Sequence, residues 1–168
     1  MGFVGYLLIL AAGTGIGLYA AHRLQQRVVF LDRTRRVLQT LIQQVGYTAR
    51  PMNELWRRLA GMPAFSDFSL LQDTAKGLQQ AGFGSAFSAA VERAFAEGQL
   101  TPPGRQLLLE FAEGCGRYDT VRQEEHIAHY RDRLAELETE LRQEADTKGR
   151  VYRVMGLAGG GALVLLLM

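Results

Sequence analysis

The hydrophobic pattern divides the chain into two uncharged ends and a charged middle. Residues 3–21 and 154–168 contain no charged side chain. An α-helix rises about 1.5 Å per residue, so about 20 apolar residues cross a hydrocarbon core of roughly 30 Å. We therefore predict transmembrane helices at residues 1–22 and 151–168, with one domain at residues 23–150 between them.

The middle of the chain has helical periodicity. Apolar residues recur at alternating spacings of three and four in two long stretches, Leu24, Val28, Leu31, Leu38, Ile42 and Val45 in the first and Ile127, Tyr130, Leu134, Leu137 and Leu141 in the second. Such narrow stripes predict two long helices that pack against partner helices in coiled-coil fashion. Arg35 lies on the first stripe, and an arginine there requires a carboxylate partner.

Shorter amphipathic stretches lie between the long helices, separated by helix-breaking residues. The breaks fall at Pro51, Gly61 to Pro63, Gly82, Gly98 and Thr101 to Pro103. We expect Ser66 or Asp67 to cap the third helix, and Asp119 or Thr120 to cap the last. The predicted fold is all-α, a hairpin of long helices with shorter helices packed between them, forming a helical bundle flanked by two transmembrane helices.

The charge distribution predicts the side of the membrane on which the domain lies. The net charge is only +2, which gives no general signal for nucleic-acid binding. Basic residues crowd the inner ends of both apolar segments, at Arg23, Arg27, Arg33, Arg35 and Arg36 and at Lys148, Arg150 and Arg153. By the positive-inside tendency the domain is cytoplasmic. The basic residues either serve only as this anchor or also contact anionic lipid headgroups.

Two further features bear on targeting and compartment. The chain has no Lys or Arg before the first apolar segment, which is also longer than the apolar core of a signal peptide. A cleaved signal peptide is therefore the less favoured interpretation of that segment. The single cysteine, Cys115, excludes an intramolecular disulfide and is compatible with a reducing compartment.

The glycines of the apolar segments indicate helix packing. Gly13-Thr-Gly15-Ile-Gly17 lies inside an apolar run with no strand before it and no lysine after it, so it does not fit a phosphate-binding loop. Gly13 and Gly17, and likewise Gly156 and Gly160, instead form small-xxx-small faces. Either the two spans of one chain pair through these faces, or copies of the protein form a homo-oligomer.

The sequence gives only weak indications of catalytic or metal-binding groups. His126 and His129 are three residues apart, a spacing that supplies two metal ligands at most, and the zinc-protease motif is absent. Cys115 has no base at a motif spacing and has apolar neighbours. We predict no catalytic residue, no metal and no cofactor, and hence a protein that is not an enzyme. A membrane enzyme that uses His126 and His129 with a metal remains the less favoured alternative.

A polar stripe begins the last helix. Offsets of four and three place Asp119, Gln123 and His126 on one helix face. The stripe is either a partner-binding surface or simply an N-terminal cap followed by a solvated first turn.

The layout and three segments of the chain resemble the stage III sporulation protein AB family. The segments are LQTLIQQVGYTARPMNELWRRLA (38–60), GRYDTVRQEEHI (116–127) and KGRVYRVMGLAGG (148–160). Gly116, Asp119, Gln123 and His126 match a Gly, Asp, Gln and His pattern typical of that family. One departure is visible, because Gln43 and Gln44 stand where an acidic residue is expected in the first long helix.

The resemblance implies a non-enzymatic role in endospore formation. The family is similar to the F-type platform proteins of type II secretion and type IV pilus systems. The resemblance therefore implies a membrane platform or adaptor in the mother cell, within a secretion-like channel complex that contains other membrane subunits. Its cytoplasmic helices are then expected to dock the secretion-type ATPase of the same sporulation operon, through Trp56, Arg57, Asp119, Gln123 and His126. The alternative is a self-associating membrane scaffold with no ATPase partner.

Overall fold

The computed structural model describes residues 2–47, 50–115 and 120–167, with side chains over 15, 18–45, 50–115, 122–151, 154 and 158. Within these residues there are six α-helices, one short 3-10 helix and no strand, which confirms the all-α prediction. The elements are α1 (Gly2–Tyr47), α2 (Met52–Ala60), the 3-10 helix (Pro63–Phe65), α3 (Ser69–Gly77), α4 (Phe83–Ala96), α5 (Pro102–Gly114) and α6 (Thr120–Leu167). The two long helices run without interruption into the apolar ends.

Most helix ends lie where the local sequence places them. Thr101 caps α5, because its side-chain oxygen accepts a hydrogen bond from the Gly104 amide at 3.4 Å, and Pro102 occupies the first turn. After α4 the chain turns through Gly98, whose φ of 77° lies in the left-handed region that favours glycine. The prediction of a break at Pro51 is also confirmed, with Pro51 as the N-cap of α2.

The predicted cap of α3 is wrong. The N-cap is Phe68, which makes no side-chain capping bond. Ser66 instead donates to the Pro63 carbonyl at 3.1 Å, and Asp67 accepts from Arg33 of α1 at 3.0 Å. The helix therefore begins after a buried aromatic residue, 3% exposed, and not after a polar cap.

The chain divides into two compact units, Met1–Val28 with Thr139–Met168, and Val29–Glu138. In the first unit α1 and α6 approach closely, since a Cβ added at Gly149 would lie 3.8 Å from the Cβ of Ala21. Leu141, Ala145 and Gly149 follow one another at four-residue spacing and are buried. This spacing forms the contact stripe of α6 in the first unit.

The second unit has its own hydrophobic core. Its fully buried side chains come from all six helices, among them Leu38, Leu59, Leu71, Phe87, Leu108 and Leu134, each exposed by 0%. An aromatic cluster passes through the centre, where Phe87 lies 5.3 Å from Trp56 and 5.4 Å from Phe111 between ring centroids. Burying one such side chain stabilises a fold by about 1.5–3 kcal/mol.

Arg35, on the apolar stripe of α1, pairs with a carboxylate on the other long helix. Arg35 Nε donates to Glu138 of α6 at 3.0 Å, and its guanidinium also reaches Asp32 at 3.1 Å. Hydrogen bonding to Glu138 is the main cause that raises the pKa of Arg35 above its ordinary value. The expectation of a carboxylate partner for Arg35 is confirmed.

The predicted membrane segments coincide with the start of α1 and the end of α6. In the part of the chain that the structure describes, no helix is long and apolar enough to span a lipid bilayer. The structure does not describe the packing around the four glycines of the apolar segments, Gly13, Gly17, Gly156 and Gly160. Their role in helix contact therefore stays a prediction.

Candidate functional site

Trp56 lies in the core rather than on the surface. It faces inward from α2 and is 1% exposed, with its ring edge-on to Phe83 at 5.1 Å. Its indole nitrogen is buried and finds no hydrogen-bond partner among the described residues. The Trp56 ring is therefore not available to a partner in this conformation, and its effect on any docking surface is through the position of α2.

Arg57, the next residue, is exposed and links α2 to α3. Its guanidinium donates to the carbonyl of Leu78, the C-cap residue of α3, at 2.9 Å. Carbonyl groups at the end of a helix have no hydrogen-bond donor within the helix, so Arg57 supplies one here. Arg58 is exposed beside it and makes no ion pair or hydrogen bond within the described residues. Arg57 thus has a structural contact as well as an accessible surface.

His126 packs α6 onto the end of α5. Its ring stacks on Phe111 with centroids 5.8 Å apart and planes at 14°, and its Nε2 lies 3.3 Å from the Phe111 carbonyl oxygen. Gly114 makes this approach possible, because a Cβ there would lie 2.1 Å from Cε1 of His126. Tyr130, one turn later, completes the contact at 4.8 Å from the His126 ring.

The polar stripe is therefore partly internal. Gln123 and His126 are both half-buried on α6, three residues apart, whereas Asp119 lies outside the described residues. The structure brings His126 to the Phe111 end of the aromatic cluster, and Trp56 is a member of the same cluster. Four of the five proposed contact residues are thus described, and two of them border one continuous set of packed rings.

The described residues contain no arrangement suited to metal binding or nucleophilic catalysis. No group of three or more His, Cys, Asp or Glu side chains in this part of the chain is placed to hold a metal ion. Burial raises the pKa of the Cys115 thiol, so the reactive thiolate is disfavoured. The groove beside Cys115, between α4 and α5, is lined by Ser85, Ser88 and Glu113 but by no histidine.

Glu138 is the residue that sequence reasoning missed. It is 7% exposed and holds Arg35 on the opposite long helix. The signal was present, because Glu138 lies four residues after Leu134 and three before Leu141, on the same buried stripe. Arg35 lies on the apolar stripe of α1 in the same way. A carboxylate and an arginine on the facing stripes of two helices are expected to pair.

Comparison with known families decides the assignment. The family model described as stage III sporulation protein AB matches residues 2–168. The chain belongs to this sporulation family. A curated relative, the stage III sporulation protein AB of Bacillus subtilis (strain 168), is 24% identical over 169 residues, which cover 98% of both chains.

The fold is shared with a solved member of the family. A structure titled stage III sporulation protein AB (SpoIIIAB) superposes with a TM-score of 0.60 at 19% identity, over 72% of this chain and 97% of that one. The sequence resemblance to stage III sporulation protein AB is thus confirmed. The family is a sporulation family rather than an enzyme family.

Proposed function

We propose that this protein is a non-enzymatic membrane platform of a secretion-like channel complex required for endospore formation. Its central domain docks the secretion-type ATPase of the same operon on the cytoplasmic side in the mother cell. The observation that carries the proposal is the family match over residues 2–168, joined to the resemblance of that family to F-type platform proteins. The ATP chemistry then belongs to the partner.

The arrangement of the second unit supports a docking role. Its core is complete within Val29–Glu138, from the aromatic cluster to the Arg35–Glu138 pair, so the unit can present a surface of fixed shape. A rigid surface loses little conformational freedom on association, which favours binding. The candidate surface comprises Arg57, Gln123 and His126, together with Asp119, and Trp56 positions α2 beneath it.

Membrane anchoring is supported by the two ends of the chain. Residues 3–21 and 154–168 are uncharged, and basic residues lie at the inner end of each segment. Two large side chains within these segments, Tyr19 and Val154, are exposed by 65% and 61%, as expected for residues that lipid would cover. Other membrane subunits of the complex are the natural neighbours of the two spans.

The decisive experiment is binding between the full-length protein in nanodiscs and the purified ATPase of its operon. We expect saturable binding that Asp119→Asn together with Gln123→Ala weakens at least tenfold with unchanged helix content. Asp132→Asn, the same chemical change at an exposed position of α6, is the matched control and should bind normally. Absence of binding by the wild-type protein would reject ATPase docking.

The full-length protein in detergent tests the self-associating scaffold. A scaffold without an ATPase partner predicts stable homo-oligomers in detergent whose size does not change when the ATPase is added. Sedimentation velocity of the protein alone and with the ATPase separates the two cases. A shift of sedimentation coefficient only in the presence of the ATPase supports the platform.

A further inference from the structure

The first compact unit contains a sharp boundary between apolar and charged surface. Ala21 of α1 and Gly149 of α6 mark a close approach of the two helices in this unit, with 3.8 Å between the Cβ of Ala21 and a Cβ built on Gly149. From this contact α1 is uncharged toward its first residue and α6 carries only Arg150 and Arg153 before its uncharged end. The transition from apolar to charged sequence therefore falls at the same contact in both helices.

Large apolar side chains lie uncovered just beyond the contact. The exposed fractions are 52% for Leu18, 65% for Tyr19, 47% for Val151 and 61% for Val154. Uncovered apolar side chains grouped at one place mark a surface that meets another apolar phase or partner. Tyrosine is also a residue that prefers the interface between hydrocarbon and water.

Two arginines beside the contact have no acidic partner among the described residues. Arg23 and Arg150 are exposed and make no ion pair or hydrogen bond within the described residues, whereas Lys148 is held by Glu144. The acidic residues lie farther from the apolar ends, with Asp146 and Glu144 on α6 and Asp32 as the first on α1. Arg23 is thus the first charge that follows the apolar surface on α1, and Arg150 is the first described charge that follows it on α6.

We propose that Arg23 and Arg150 form a binding site for the phosphate groups of anionic lipids, at the level where the helix pair enters the bilayer. Arg23 lies about 3 Å and Arg150 about 1.5 Å along the helix from the Ala21–Gly149 contact. Arg23 lies on the charged side of the contact and Arg150 on the apolar side, so the two residues are about 4.5 Å apart along the helices. A headgroup layer is roughly 5–7 Å thick on each side of the hydrocarbon core, so one layer is thick enough for both residues. The site rests on the proposed membrane anchoring and specifies the lipid class that this anchoring prefers.

A lipid is favoured over a protein partner by the order of the groups. On α1 the exposed Leu18, the interfacial Tyr19 and then the unpaired Arg23 follow one another, and on α6 the exposed Val154 and Val151 come before Arg150 when the helix is followed from its apolar end. Apolar surface followed by cations is the order of the phases in an anionic leaflet. Arginine also forms forked hydrogen bonds with phosphate oxygens and has an apolar stem that lies along hydrocarbon. A protein partner would need a carboxylate surface at the same height on both helices.

The test is a lipid competition on the full-length protein. The protein in neutral detergent is mixed with equal amounts of phosphatidylglycerol and phosphatidylcholine, and the bound lipids are counted by native mass spectrometry. We expect preferential retention of phosphatidylglycerol. Loss of each arginine should reduce that preference about fivefold, and Arg23→Gln with Arg150→Gln should reduce it about 30-fold.

Matched variants separate this site from general charge and from membrane anchoring. Arg58→Gln with Arg133→Gln removes the same charge from the second unit and should leave the preference unchanged, and Arg23→Lys with Arg150→Lys should retain most of it. Equal loss in the control pair, or no preference in the wild type, would overturn the lipid site. Flotation of the wild type with phosphatidylcholine vesicles after carbonate washing tests anchoring itself, so its failure is distinguished from failure of the lipid site.

Discussion

At the scale of single residues, Gly114 has the least room for a side chain among the described glycines. The His126 ring occupies the space that a side chain at Gly114 would need, with Cε1 at 2.1 Å and Nε2 at 2.4 Å from a built Cβ. Gly114→Ala must therefore displace the ring from its stack on Phe111. Because overpacking of this kind costs about 1–3 kcal/mol, we expect a loss of that size in unfolding free energy, measured by urea denaturation.

A second glycine provides the control for this prediction. Gly61 follows α2 in a right-handed conformation, and a Cβ there would meet only ordinary contacts at 3.5 Å and beyond. Gly61→Ala should change stability by less than about 0.5 kcal/mol. Equal effects of the two substitutions would show that the His126–Gly114 contact does not hold α6 against α5.

The Arg35–Glu138 pair is the other residue-scale feature with a measurable consequence. Removing Arg35 leaves a carboxylate that is 7% exposed without its main partner. A fully buried orphan would cost about 3–5 kcal/mol, but Arg35 is 37% exposed and water can reach the pair. We expect Arg35→Met to cost about 1–2 kcal/mol in a denaturation experiment.

The double variant and a surface pair test the reason for that loss. Adding Glu138→Leu to Arg35→Met removes the buried charge that has lost Arg35 and should recover most of the stability. The Arg33–Asp67 pair, exposed by 41% and 66%, should contribute less than about 1 kcal/mol. A larger effect of Arg33→Met than of Arg35→Met would contradict the importance of burial.

At the scale of helices, α4 and α5 are joined by a charge clamp that depends on pH. Arg105 donates to both carboxylate oxygens of Glu92, at 2.9 Å from Nε and 2.6 Å from Nη2, and its guanidinium lies 5.2 Å from the Phe95 ring. Hydrogen bonding by Arg105 lowers the pKa of Glu92. The clamp stabilises the folded state at neutral pH and loses this contribution as the pH falls through the lowered pKa.

Arg105→Met is the substitution that reports on this clamp. We expect the pKa of Glu92 to return upward to the ordinary glutamate value, as measured by NMR titration of the side-chain carboxyl. The stability difference between wild type and variant should shrink from neutral to acidic pH, because protonated Glu92 no longer attracts Arg105. Glu92→Gln should abolish the same pH-dependent part, and a difference that stays constant with pH would argue against the clamp.

The helices also show what the sequence can and cannot predict. Breaks carried by Pro51, Thr101 and Gly98 were predicted correctly, because backbone geometry at proline, glycine and capping residues is a local property. The cap of α3 was not, because Asp67 is held by Arg33 from a helix far away in sequence. Trp56, which is expected on a docking surface, lies with Met52 and Leu59 on the buried face of α2, so its part in docking stays a prediction.

At the scale of the whole molecule, the contacts that define the second unit all lie within Val29–Glu138. They include the aromatic cluster, the Arg35–Glu138 pair and the His126–Gly114 contact. We therefore predict that a chain of residues 29–138 folds and unfolds cooperatively without the apolar ends. Trp56, the single tryptophan, lies in the centre of this core and reports on it by fluorescence.

Urea unfolding of this chain, followed by Trp56 fluorescence and by far-UV circular dichroism, measures that cooperativity. The two midpoints should coincide, because packing of the core and helix formation depend on the same contacts. A shorter chain of residues 29–115 lacks α6, so that Phe111 loses His126 and Arg35 loses Glu138. Because these contacts close the core, the shorter chain should show no cooperative transition. Separate midpoints in residues 29–138, or a cooperative transition in the shorter chain, would mean that α6 does not complete the core.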